Sequence, residues 1–207
     1  MKQAADLYAE KEKDLHIWTV KGRPFYLSHP TFDVEEIAHA TSMQCRYTGH
    51  TREFYSVAEH GVLVASILAW ECEPRGIEFE GLMHDAHEAY VSDIASPWKV
   101  AIPDYRRVEE KLEGAMRAHF LLPEKISPAV KRADWLALFI EAEQLLTPGI
   151  TKDWLEPEPG IKETAYEMRH RSARFIIQGL SPKEARDEWL HHYKRLSTYR
   201  AVHEFAV

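Results

Sequence analysis

Cysteine is scarce, with two in 207 residues, Cys45 and Cys72. They form no CxxC pair, and two thiols build no disulfide framework. Positive charge is also in short supply: 26 Lys and Arg stand against 33 Asp and Glu, a formal charge of −7. That balance disfavours binding to a nucleic acid polymer, although an acidic protein can still carry a local site for a small anion. Long apolar runs are missing. The longest, "VLVASILAW" (Val62–Trp70), is far too short to span a bilayer, so no membrane partner is expected. The first residues, "MKQAADLYAEKEKDLH", lack the apolar core of a signal peptide. A reducing, cytoplasmic location follows by elimination. No repeat of 20–50 residues and no low-complexity tract interrupts the chain.

Histidine is what is plentiful, with twelve copies. Some should be ligands or acid–base groups, and most will be ordinary. Apolar residues make up 45% and charged residues 29%, the mixture of a globular protein, and the length suffices for one sizeable core.

Turn and capping signals divide the chain into helices. "IWTVKGRPFYL" places two apolar arms around Lys21-Gly22 and predicts a small N-terminal β-hairpin. Asp33 with Glu36, and Ser56 with Glu59, are capping boxes that open helices, the second running to about Trp70. "EFEGLMHDAHEAYV" predicts one helix after a loop at "ECEPRGIE". "SDIASPWKVAIPDY" carries proline punctuation. "YRRVEEKLEGAMRAHF" is amphipathic. Ser127-Pro128 and Ser181-Pro182 open two more helices, "IKETAYEMRHRSARFIIQG" supplies another, and "TPGITKDWLEPEPG" is the longest irregular stretch. The expected fold is all-α, a compact helical bundle with the small hairpin. One domain is expected over 1–207, its core about 25–146 with C-terminal helices over 161–207 packed on it.

Three predicted helices carry polar residues inside apolar stripes. His60 shares a face with Val57 and Val64, Asp85 with Leu82 and Ala89, and Asp134 with Val130 and Leu138. A buried carboxylate is costly unless it is paired or metal-bound. One ion shared by His60, Asp85 and Asp134, with His84 as fourth ligand, solves this for all three helices. Such a His₂Asp₂ set suits one divalent transition metal (Co, Mn, Zn, Fe or Ni) better than Ca. The ion would polarise a phosphoryl group and lower the pKa of water. Glu88, four residues after His84, could hold a proton nearby. Asp93 could orient water or meet the substrate. Taken singly, each residue has a blander reading: a hydrogen-bonded core histidine, a surface ion pair, a solvated helix face.

Together, "EH" at Glu59-His60, "HD" at His84-Asp85 and the later Asp134 resemble the H…HD…D pattern of the HD-domain phosphohydrolases, whose four residues bind one metal. "HDAHEAYVSDIASPWK" is similar to the HD-x-x-E-x-x-x-x-D…P-x-K block of the bacterial 5'-deoxynucleotidases called YfbR. "CRYTGHTREFYSVAEH" with "FEGLMHDAHEAYVSDI" and "IPDY" is closer still to the related YfdR type of phages and prophages. The resemblance covers roughly Phe25 to Leu146. It implies the HD-domain bundle, metal ligation by His60, His84, Asp85 and Asp134, and Glu88 and Asp93 as the catalytic acidic pair. It also implies that Arg46 contacts a 5'-phosphate, for which a planar guanidinium is apt. Tyr47 stands where the YfbR type has Trp beside the sugar, so deoxyribose selectivity is not carried over. His50 and Lys99 become further substrate contacts. A homodimer or larger homo-oligomer acting on a small deoxynucleotide is implied as well.

The expected activity is therefore metal-dependent removal of the 5'-phosphate from deoxyribonucleoside monophosphates. Glu88 or Asp93 would move the protons, and spacing does not say which. Two rivals share the ligand pattern: a dNTP triphosphohydrolase, of dATP type in some phage relatives, and a nucleotide-binding regulator without turnover.

Overall fold

The computed structural model describes residues 15–147 and 170–203, with side chains to 199. The irregular stretch beyond Thr147 and the start of the helix expected from 161 lie outside the described residues. The hairpin forms as β1 (His16–Trp18) and β2 (Pro24–Tyr26), antiparallel with Ile17 opposite Phe25. Gly22 takes the left-handed φ of +71° in its turn, a conformation that glycine adopts without steric cost.

Eight α-helices follow among the described residues: α1 (Val34–Met43), α2 (Val57–Trp70), α3 (Arg75–Met83), α4 (Glu88–Val91), α5 (Ser96–Ala101), α6 (Pro103–His119), α7 (Pro128–Leu145) and α8 (Pro182–His203). The chain is mostly helical, and none of the helices searched is long and apolar enough to cross a membrane.

The caps form where expected, but two boxes are half-built. Asp33 accepts from the Glu35 and Glu36 N–H groups, and the Ser56 hydroxyl accepts from the Glu59 N–H. Glu36 instead takes hydrogen bonds from Thr19 and Arg23 of the hairpin. Glu59 takes the backbone N–H groups of Gln178, Gly179 and Leu180, at 3.0–3.1 Å. These acids tie distant segments to their helix ends instead of closing the local ring. Only Ser181 and Glu184 exchange bonds both ways.

Helix α2 sits at the centre, packed against α1, α3, α7 and α8. Its residues Val64, Ile67 and Leu68 meet Val130, Ala133, Leu136 and Ile140 of α7 in one apolar cluster. A second cluster joins Ala58 and Ala65 to Phe79 and Leu82 of α3 and Trp189 of α8. Two glycines let α2 and α3 approach closely. A Cβ on Gly61 would lie 3.0 Å from the Leu82 carbonyl oxygen, and one on Gly81 would lie 2.4 Å from Leu68 Cδ1. Gly61 follows His60, and Gly81 precedes His84 by three residues, so the tight contact is where the two histidines must meet.

The helix expected over residues 78–91 is not continuous. Helix α3 begins earlier, at Arg75, inside the expected loop, and ends at Met83. From there the backbone bonds are i to i+3: Ala86 N–H to Met83, Glu88 N–H to Asp85, Tyr90 N–H to His87. This tighter winding has about 3.0 residues per turn instead of 3.6. Glu88 therefore does not stand one α-turn above His84, as a continuous helix would have it. Neighbouring His84 and Asp85 nonetheless bring Nε2 and Oδ2 within 3.2 Å of each other.

Candidate metal centre

His60 is fully buried on α2, and its ring is fixed from behind. Its Nδ1 lies 2.6 Å from Glu141 Oε1. His84, also buried, is fixed likewise, its Nδ1 2.7 Å from the Gly81 carbonyl oxygen. Both partners only accept, so each Nδ1 carries the hydrogen and a neutral ring presents its Nε2 lone pair. The two Nε2 atoms face each other at 3.3 Å. Lone pairs so placed repel unless a cation or proton stands between them.

Two carboxylates complete the ring. Asp134 Oδ1 lies 3.2 Å from His60 Nε2 and 3.7 Å from His84 Nε2. Asp85 Oδ2 lies 3.5 and 3.2 Å from the same atoms. His60, His84 and Asp134 offer ligand atoms that are all within 4.8 Å of one another. Asp85 borders this trio and is also drawn toward Arg46, whose Nη1 is 3.5 Å away. With metal–ligand bonds of about 2.1 Å, neighbouring ligand atoms sit roughly 3.0–3.4 Å apart. The observed spacings and the mixed N/O donors fit a first-row divalent ion.

Burial differs from the sequence expectation. The histidines are buried, but Asp85 is 24% and Asp134 45% exposed. The carboxylates form the lip of the site, where a small molecule can reach.

The electrostatics ask for positive charge. Burial opposes the charged form of His84, yet Asp85 and Asp134 outweigh it and raise its pKa well above the ordinary value. For His60, burial and Arg46 oppose protonation, and Glu141 with Asp134 overcomes them. Burial disfavours an ionised Asp85, but His84, His60 and Arg46 hold its pKa well below the ordinary carboxylate value. Asp134 is held low in the same way by His60 and His84.

Arg46 enters from a tight turn, Arg46–Gly49, in which Tyr47 and Thr48 take left-handed φ of 56° and 54°. Such values are strained for residues other than glycine. The turn is held by the Arg46 N–H to the Tyr55 carbonyl and the His50 N–H to the Tyr47 carbonyl, both 2.9 Å. The guanidinium lies between Asp85 and Glu141, with Nε 3.4 Å from Glu141 Oε2. Tyr47 turns its hydroxyl onto Glu141 as well. His50 is exposed and holds the turn through its backbone.

Glu88 is buried at the start of α4, with Oε2 lacking a hydrogen-bond partner. Burial, then Asp85 and Asp93, raise its pKa well above the ordinary value, against Lys99 and Arg46. Asp93 lies on the loop after α4. Burial and Asp85 raise its pKa despite Arg46. Gln44 pins both acids: its Nε2 donates to the Glu88 carbonyl, and its Oε1 accepts from the Asp93 N–H. Lys99, from α5, stands 3.3 Å from Glu88 Oε1 and 2.5 Å from Glu109 Oε1. Its ammonium is thus engaged with two carboxylates.

Similarity to known proteins places the chain among relatives. It is 41% identical over 132 residues to the uncharacterized protein YfdR of Escherichia coli (strain K12), an alignment covering 62% of this chain and 71% of the relative. The chain belongs to the YfdR family. A second uncharacterized relative, from Rhodobacter capsulatus, is 34% identical over 138 residues, covering 61% of this chain and 70% of its own length. No protein-family model matches.

In this YfdR-family chain, the structure thus brings His60, His84, Asp85, Asp134 and Arg46 together, with Glu88, Asp93 and Lys99 beside them. Three further residues escaped the sequence reading. Glu141 is fully buried and accepts from His60, Tyr47 and Tyr55. Its signal was present, seven residues or two turns after Asp134 on the same face of α7. Gln44 and Glu109 gave no such signal, because their partners come from other elements.

Proposed function

We propose that the chain is a metal-dependent phosphohydrolase of the HD-domain type, removing the 5'-phosphate from deoxyribonucleoside monophosphates. The observation that carries the reading is the pair of buried imidazoles whose Nδ1 atoms are spent on acceptors and whose Nε2 atoms converge at 3.3 Å. His60, His84 and Asp134 would hold the ion, with Asp85 at its edge. Bound there, a divalent metal supplies charge that polarises a phosphoryl group and makes water more acidic.

The chain's own residues supply the rest. Arg46 brings a fixed positive charge to the lip of the site. When a phosphate dianion arrives, its guanidinium exchanges the long Asp85 and Glu141 contacts for phosphate oxygens, and it balances charge as the bond to phosphorus breaks. Glu88, buried and between two other acids, holds a proton at Oε2 and delivers it to the departing 5'-oxygen. Asp93, fixed by Gln44 through its backbone, orients the attacking water. Lys99 and Glu109 keep the Glu88 side chain in place.

Product analysis tests the reading. Metal-free protein is re-supplied with Co²⁺, Mn²⁺ or Zn²⁺ and incubated with each dNMP, NMP and dNTP. Nucleoside and orthophosphate from the dNMPs are expected. Tripolyphosphate from a dNTP would replace the monophosphatase reading with the triphosphohydrolase. Nucleotide binding without turnover would replace it with the regulator.

A further inference from the structure

We propose that Glu141 is a positioning residue that fixes the His60 ring for metal binding, and that Tyr47 and Tyr55 act by holding Glu141. This rests on the metal-centre reading above.

Glu141 lies behind His60, on the Nδ1 side, so it cannot reach an ion held by Nε2. Its Oε1 accepts from His60 Nδ1 at 2.6 Å and from the Tyr55 hydroxyl at 3.0 Å. Its Oε2 accepts from the Tyr47 hydroxyl and faces Arg46 Nε. Four donor groups from three segments thus converge on one carboxylate that has no exposure to water. A carboxylate only accepts, so it serves His60, Tyr47 and Tyr55 as donors, while Arg46 Nε lies 3.4 Å away as an ion pair without a hydrogen bond. With Nδ1–H held there, His60 cannot move its hydrogen to Nε2 without setting an Nδ1 lone pair against Glu141 Oε1 at 2.6 Å. The ring is locked both in tautomer and in direction, which is how carboxylates behind ligating histidines act generally.

The same geometry gives Tyr47 a role different from sugar selection. Its hydroxyl is committed to Glu141, and the Arg46 guanidinium lies over its ring at 5.6 Å from the centroid. Tyr47 and Tyr55 approach Glu141 at different oxygens and keep it from rotating.

The test compares full-length wild type with Glu141→Gln, Glu141→Leu and Tyr47→Phe. Co²⁺ affinity is read by titration of the visible absorption, and the His60 tautomer in metal-free protein by side-chain ¹⁵N shifts at alkaline pH. Glu141→Leu removes every acceptor and should weaken Co²⁺ binding about 10–100-fold while His60 loses its single Nδ1–H form. Glu141→Gln keeps one acceptor oxygen for His60 and should lose less than about tenfold. Tyr47→Phe should lower Co²⁺ affinity a few-fold and leave the dNMP-to-NMP preference unchanged. Folding of each variant is checked by circular dichroism. Glu141→Leu binding Co²⁺ like the wild type, or equal loss in the Gln and Leu variants, would overturn the proposal. A wild type that binds no Co²⁺ but shows a single Nδ1–H tautomer lost in Glu141→Leu would instead overturn the metal reading and leave the positioning role standing.

Discussion

Gly61→Ala probes the link between helix packing and the site. In a helix, alanine is favoured over glycine by about 1 kcal/mol. Here the new Cβ would lie 3.0 Å from the Leu82 carbonyl oxygen and 3.5 Å from Trp189 Nε1. The first is backbone and yields only if α3 retreats by a few tenths of an ångström. Overpacking of this kind costs about 1–3 kcal/mol, so the net loss should be about 0–2 kcal/mol, and the melting temperature should fall by a few degrees. The effect on the site should be larger in proportion. Leu82 precedes His84 by two residues, and Gly61 adjoins His60, so the retreat opens the 3.3 Å approach of the two Nε2 atoms. Co²⁺ affinity should fall about tenfold, near 1.4 kcal/mol. Two assays read this: calorimetric titration with Co²⁺, and melts with and without the ion, where the gain from bound ligand should shrink. Unchanged stability together with wild-type Co²⁺ affinity would refute the reasoning that these glycines set the distance between the histidines.

Asp85→Ala should strip the metal and abolish turnover, checked by metal analysis and orthophosphate release; normal turnover would remove Asp85 from the site. Arg46→Ala should raise KM and lower kcat/KM by about 100-fold or more, in line with loss of a charge stabilising the transition state, and unchanged kinetics would detach it from phosphate. Glu88 has a folded pKa raised by burial and by Asp85 and Asp93, so its contribution to stability is full below the unfolded value and is lost as pH rises through the folded one. Glu88→Gln should accordingly raise the melting temperature at neutral and alkaline pH, make no gain near pH 4, and abolish activity; a gain largest at acid pH would reverse the sign. Glu80 and Arg117, buried and 2.6 Å apart, tie α3 to α6, with Glu80 also taking the Ser127 N–H at the start of α7. Glu80→Ala should cost about 3–5 kcal/mol by leaving a buried charge unpaired, and replacing both partners by apolar residues should recover much of it, as denaturant melts would show.

Much of the fold was legible because its signals are local. Asp33, Ser56, Ser127 and Ser181 mark helix starts through their own side chains, and Gly22 marks its turn. His60 was legible from the spacing of its apolar neighbours, whereas His84 entered only as the neighbour of Asp85, the residue read as inward. What escaped depends on partners distant in sequence. The break after Met83 is invisible to periodicity, since Leu82, Asp85 and Ala89 read as one face of a continuous helix. Its consequence, moving Glu88 off the His84 face, was missed with it. Asp134 follows the apolar spacing of α7 yet sits at the lip, because only the approach of α2 and α3 decides where the bundle opens. Lys99 is expected from the resemblance as a substrate contact, and only the packing of α5 against α6 brings Glu109 to it.

The central claim is tested most directly by orthophosphate release from dNMPs as metal-stripped protein is titrated with Co²⁺ or Mn²⁺. The account predicts no release without metal and activity that saturates at about one ion per chain, as a single site shared by the two histidines requires. Release that is independent of added metal, or its absence at every metal concentration while the protein is folded, would contradict it.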